Sequence, residues 1–119
     1  MNKQYQKIKR ARAKADRLFQ EVCLKLNPQS MVSGLKAEVT HHFVPKSLCM
    51  ALRYDIENGI TLTNGEHFSH HTKGDPEIYE KMTANKTAEW FVHIRNKRHE
   101  IIKPTLAWYE SKIESLTKK

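Results

Sequence analysis

Two adjacent histidines, His41 and His42, close a stretch of alternating β-branched residues, and a second pair, His67 and His71, stands four positions apart further along. Five of the seven histidines fall between positions 41 and 71, with Asn58 in the interval. Imidazole is both a common neutral metal ligand and the usual general base near neutral pH. An i,i+4 pair on a helix puts both rings on one face. Neighbours on a strand point to opposite sides, so His41 and His42 cannot both ligate one ion without a bend. One of them can face a cation while the other addresses a water, and the pattern reads as a single metal-dependent site. A set of imidazoles is softer than magnesium prefers, so zinc, nickel, cobalt or manganese would bind better, although magnesium could still support activity. His70 lies i+3 from His67 and could replace His71 in such a set. His93 and His99 stand outside the cluster and read as surface residues.

These side chains must be positioned by a mostly helical α+β framework. Ile8, Ala11, Ala15, Leu18, Phe19, Val22, Cys23 and Leu26 recur at helical spacing and predict a helix over 3–26, ended by Asn27-Pro28. Ser33-Gly34 reads as a turn, and the alternation over 37–44 as a strand closed by Pro45. Residues 47–52 could form one helical turn that buries Leu48, Met50 and Leu52. A second strand is expected over 59–63 with Ile60 and Leu62 inward. Asn64 is the expected N-cap of a short helix carrying His67 and His71, with Gly74 its stop. Asp75-Pro76 opens another helix. Trp90, Phe91, Ile94, Ile101 and Ile102 predict a longer one, and Leu106, Trp108, Tyr109, Ile113 and Leu116 a last one beyond Pro104. The aromatic residues read as core.

At 119 residues the chain suits one domain. Its divisions are a basic N-terminal helix over 1–28, the histidine-bearing segment over 29–75 and C-terminal helices over 76–119. No apolar run is long enough to span a bilayer, and the basic, polar start is not followed by the apolar stretch of a secretory signal. An intracellular location is the expectation. Cys23 and Cys49 lack metal-site spacing and read as buried thiols. The net charge of +8 is uneven. Residues 1–26 carry eight basic and two acidic side chains, 27–76 four and five, and 77–119 nine and six. A polyanion such as nucleic acid is the favoured partner. The basic residues of the first helix could equally track phosphates or simply be hydrated.

The segments VTHHFVPKS, RYDIENGITLT and NGEHFSHHTKGDP, spanning about 30–76, resemble the HNH endonucleases, the ββα-metal or His-Me finger group. The flanks KADRLFQEV and GDPEIYEKM look more loosely like phage-encoded HNH and recombination nucleases. The resemblance implies a ββα-metal hairpin-plus-helix core flanked by the terminal helices. It implies that His41, His67 and His71 hold one divalent metal ion (Mg, Mn, Ni or Zn), that His42 is the base activating water, and that Asn58 holds the loop and orients it. The implied activity is hydrolysis of DNA phosphodiester bonds in the cytoplasm of a bacterial or phage-infected cell. Lys7, Arg10, Arg12, Lys14, Lys46, Arg53 and Lys73 are the candidate nucleic-acid contacts. Many such proteins also hold a structural zinc in two CxxC pairs. Here those positions read Ser30-Met31-Val32-Ser33-Gly34 and Thr63-Asn64-Gly65-Glu66, poor zinc ligands, so no structural zinc is expected. That loss motivates an alternative, a catalytically inactive nucleic-acid-binding or interaction protein on the same scaffold. The amphipathic terminal helices could support a homodimer or close a monomer core.

Overall fold

The computed structural model describes residues 2–119, an α+β arrangement that is mostly helical around one two-stranded antiparallel sheet. Helix α1 (Lys3–Leu26) starts where the Asn2 side chain accepts from the Gln4 N–H, and it stops at Asn27, ahead of Pro28. Strand β1 (Val39–His42) pairs with β2 (Gly59–Leu62), placing His41 opposite Ile60 and His42 opposite Gly59. Between the strands lie a short helix, α2 (Met50–Arg53), and a 3-10 turn (Ile56–Asn58). Four helices follow: α3 (Asn64–Lys73), α4 (Pro76–Thr83), α5 (Ala88–Lys97) and α6 (Leu106–Thr117). No helix among the described residues is long and apolar enough to cross a membrane.

Two clusters make the interior. In one, Ala15, Phe19, Val22 and Cys23 of α1 meet Tyr54 and the α6 residues Tyr109 and Leu116. The terminal helices thus close this core on each other within the chain. In the other, Ile60 and Leu62 of β2 join Cys49, Leu52, Met82, Trp90 and Ile94. Both cysteines are buried and free, and burial pushes the Cys23 thiol up to about 12. Gly59 joins the layers through its lack of a side chain, because a Cβ there would sit 2.6 Å from Cys23 Sγ and 3.2 Å from Phe19. Only glycine lets α1 approach β2 this closely.

Several boundaries differ from the sequence expectation. Strand β1 is shorter than 37–44, since Phe43 already turns toward the loop, its N–H donating to the Asn58 carbonyl. Leu48 is 75% exposed, because the helical turn starts only at Met50 and leaves Leu48 outside it. The N-cap of α3 is Thr63, not Asn64. Its hydroxyl accepts from the Glu66 N–H while the Glu66 carboxylate accepts from the Thr63 N–H, a reciprocal capping box. Helix α5 ends at Lys97, so Ile101 falls in the following loop and is 98% exposed. Gly74 adopts the left-handed conformation, φ 60°, and ends α3 as expected.

Ser30 and Glu66, from the two stretches where the resemblance would place CxxC pairs, meet in space. The Ser30 hydroxyl donates to the Glu66 carboxylate at 2.6 Å and accepts from the Val32 and Ser33 N–H groups. A buried hydrogen-bond knot thus ties the turn before β1 to the first turn of α3. Ser30 and Thr63 outweigh the effect of burial and hold the Glu66 carboxyl below its ordinary range.

Candidate metal centre

His41 sits on the buried face of β1, and α3 lies across that face. One helical turn separates His67 and His71, so both rings project toward His41. Ring centroids lie 5.3 Å apart for His41 and His67, 4.8 Å for His41 and His71, and 4.5 Å for His67 and His71. One nitrogen from each of the three falls within 4.8 Å of the others, an arrangement that could hold a metal ion. His71 Nε2 and His41 Nδ1 are 3.1 Å apart. Two ligands about 2.0–2.1 Å from a shared zinc ion stand close to that distance from each other. The donor set fits a borderline transition metal better than magnesium.

The environment disfavours the charged form of His41 and His67. Burial, then the neighbouring His71, His70 and His67, pushes His41 down to about 3. His67 is also lowered, by burial and then by His71 and His70. Clustered imidazoles resist protonation because each added charge repels the rest.

His70 packs edge-on against His41, centroids 4.9 Å apart, but it does not belong to the ligating group. Its Nδ1 is buried without a hydrogen-bond partner. His93 is half-buried, not a free surface residue, and contacts the Asp55 carboxylate at 2.6 Å.

His42 lies on the other side of β1. Its Nε2 donates to the Arg53 carbonyl at 2.9 Å, because a carbonyl can only accept. In the neutral ring Nδ1 then carries the lone pair. Burial lowers the ring's basicity, although the Arg53 carbonyl partly offsets it. His41, His42, His67 and His71 nevertheless line one cleft of about 440 Å³, together with Gln20, Lys46 and Ser47.

Asn58 is fully buried, and its side chain hydrogen-bonds to backbone rather than to a histidine. Its Nδ2 donates to the Val44 and Leu52 carbonyls at 3.1 Å each, and its Oδ1 accepts from the Val44 N–H at 2.8 Å. It clasps both ends of the loop between the strands, and so bears on His42 through the neighbouring Arg53.

The candidate nucleic-acid contacts separate into groups. Lys46 is exposed on the cleft, and Lys73 is exposed at the end of α3. Lys7, Arg10 and Lys14 line a different groove, between α1 and α6. Arg12 is partly buried, and its carbonyl accepts from the Tyr54 hydroxyl. Arg53 is taken up by a two-pronged pair with Asp16, at 3.0 and 2.8 Å, and so is not a free cation for phosphate.

Sequence reasoning missed Asp16, Gln20 and Ser47. Asp16 carried a signal, one of only two acids among the eight bases of 1–26 and set against the apolar stripe. Gln20 sits beside Phe19 on the same stripe and carried a weaker one.

No protein-family model, curated protein or solved structure matches the chain.

Proposed function

We propose that this chain is a metal-dependent endonuclease of the HNH, or ββα-metal, kind, hydrolysing phosphodiester bonds in DNA. One observation carries the reading: three imidazoles converge on a point while the adjacent His42 lines the same cleft with its Nε2 committed to a carbonyl. A cation held by His41, His67 and His71 would offset negative charge on the scissile phosphate and the leaving oxygen.

The residues of the chain perform the remaining work. His42 Nδ1 takes a proton from water as that water's oxygen bonds to phosphorus and the bond to the leaving oxygen breaks. A positioned base of this kind contributes roughly 10²–10⁴-fold. The hydrogen bond from Nε2 to the Arg53 carbonyl fixes the tautomer and stabilises the imidazolium that forms. Asn58 holds the loop that carries that carbonyl. Lys46, on the cleft, is placed to meet the phosphate backbone, and the net charge of +8 favours a polyanion. Such an enzyme would act in a bacterial or phage-infected cytoplasm.

The test is a panel of manganese, nickel, zinc and magnesium on supercoiled, linear and junction DNA, with His42→Ala as control. Cleavage by the wild type and none by the variant is the expected result. Wild-type protein that leaves every substrate intact with every metal would sink the reading. Salt-dependent binding without cleavage would favour the non-catalytic alternative.

A further inference from the structure

His42 stands at the centre of contacts that all lead back to one stripe of α1. Asp16, Phe19, Gln20 and Cys23 follow one another at i, i+3, i+4 and i+7, so they share a helix face. Phe19 stacks on the His42 ring, with centroids 4.7 Å apart and planes 22° from parallel. That stack depends on Gly59, the strand partner of His42, where any Cβ would press on Cys23 and Phe19. The Gln20 side-chain amide brackets the free edge of β1, its Nε2 donating to the Thr40 carbonyl at 2.7 Å and its Oε1 accepting from the Thr40 N–H at 3.0 Å. It does there what a third strand would do, two residues before His42.

Asp16 reaches the other end of the ring. It binds both Arg53 nitrogens and accepts from the Tyr54 hydroxyl at 2.8 Å. These partners outweigh its burial and hold the carboxyl below the ordinary range. The backbone carbonyl of that same Arg53 accepts from His42 Nε2. Side chains of two consecutive residues, Arg53 and Tyr54, are thus tethered to one carboxylate of α1, which holds the stretch of backbone bearing this carbonyl against the helix.

We infer that Asp16, Arg53 and Gln20 are positioning residues, a clamp from α1 that locks His42 in its Nε2-protonated tautomer and aims Nδ1 into the cleft. This rests on the reading of His42 as the base, but the clamp itself can be observed without any cleavage. Arg53 then serves the active site through its backbone, and its guanidinium serves the clamp rather than DNA.

Nitrogen-15 NMR of the full-length chain at alkaline pH reads the tautomer directly. The wild type is expected to show a single Nε2-protonated form of His42, with slow exchange of that proton. Asp16→Asn and Arg53→Lys are expected to populate both tautomers and to speed the exchange by about tenfold or more. In cleavage assays kcat should fall about tenfold in both with KM unchanged. Gln20→Ala should show the same loosening more weakly. Should one substitution unfold the protein, the remaining variants carry the test. A single tautomer and unchanged kcat in every folded variant would overturn the clamp. A salt slope of DNA binding lowered by about one in the charge-removing variant Arg53→Gln, with the tautomer intact, would likewise overturn it in favour of a phosphate contact. A wild type that holds the tautomer but cuts nothing would reject the nuclease reading and leave the clamp standing.

Discussion

On one side of β1, His42 has a flat aromatic surface under its ring and a carbonyl on Nε2. On the other side, His41 meets three more imidazoles, and His70 Nδ1 is buried with no partner. Both rings are shielded from water, and in both burial opposes the charged form. Yet the first is completed by the protein itself, while on the second three ring nitrogens converge where they could hold a metal ion, with the unpartnered His70 Nδ1 beside them. A buried polar group left unpaired costs about 1–3 kcal/mol. A cation held by His41, His67 and His71 would give those three lone pairs a partner, while His70 stays outside the ligating group. The comparison teaches that two neighbours in a sequence can be set apart by what faces them, one fixed by packing and one gathered where three imidazoles could hold a metal ion.

The largest effects come from removing one region at a time. His42→Ala should lower cleavage by roughly 10²–10⁴-fold while leaving metal affinity nearly intact. His67→Ala should lose both. Thermal unfolding separates the two without DNA, because a metal at about 100 times its dissociation constant stabilises by about 2.7 kcal/mol. That shift should persist in His42→Ala and vanish in His67→Ala. Equal loss of the shift in both variants would dissolve the distinction.

Acid should weaken the metal-free protein chiefly through the His41 side. His41 falls from an ordinary value of 6.5 to about 3 in the fold. Between those values the unfolded chain binds the extra proton, so stability rises with pH across that window. On acidification, stability begins to fall near 6.5 and continues to fall toward about 3. The loss over the whole window is on the order of a few kcal/mol. Urea midpoints measured across that range, with chelator present, should show this slope in the wild type and a flatter one in His41→Asn. An equally steep slope in the variant would move the acid sensitivity elsewhere.

The histidine cluster and the strand, turn and helix that carry it were legible because each leaves a local mark. Alternation marks β1, Gly74 marks the stop of α3, and four-residue spacing puts His67 and His71 on one face. The clamp was not legible. Asp16 and Arg53 are 37 positions apart, and nothing local distinguishes an arginine held by a carboxylate from one awaiting phosphate. Leu48 and Ile101 misled for the opposite reason, since an apolar residue one step outside a helix loses the face that would bury it. The bases of α1 likewise divide between separate faces, which is why Lys7, Arg10 and Lys14 lie away from the cleft that Lys46 lines.

The seam that holds α1 against the hairpin comes next in size. Gly59→Ala introduces a methyl group 2.6 Å from Cys23 Sγ, with Phe19 and Thr40 each 3.2 Å away. Overpacking of this kind costs typically about 1–3 kcal/mol. Because Phe19 is among the atoms that must move, the damage should fall on the His42 side. The urea midpoint should drop and the His42 ring resonances should shift, while metal affinity stays near that of the wild type. Should metal affinity fall as far as stability, the two sides of β1 would be one mechanical unit.

The smallest effect is expected at the knot between Ser30 and Glu66, remote from His42 and at the far end of α3 from His71. Glu66 accepts from the Ser30 hydroxyl and from the Thr63 N–H, and Ser30 in turn accepts from Val32 and Ser33. Glu66→Ala removes one half of the capping box and leaves the buried Ser30 hydroxyl without its acceptor, a loss of about 1–2 kcal/mol. Glu66→Gln keeps an acceptor oxygen and should recover most of that. Since α3 also carries His67 and His71, fraying of its first turn should weaken metal binding more than it disturbs the His42 tautomer, the reverse of the Gly59→Ala pattern. Urea midpoints, metal titration and His42 resonances on the two variants would show whether the sides of β1 fail separately. If Glu66→Ala loosened His42 while metal binding held, the hairpin would be transmitting strain between them, and the division between His42 and the histidine triad would have to be redrawn.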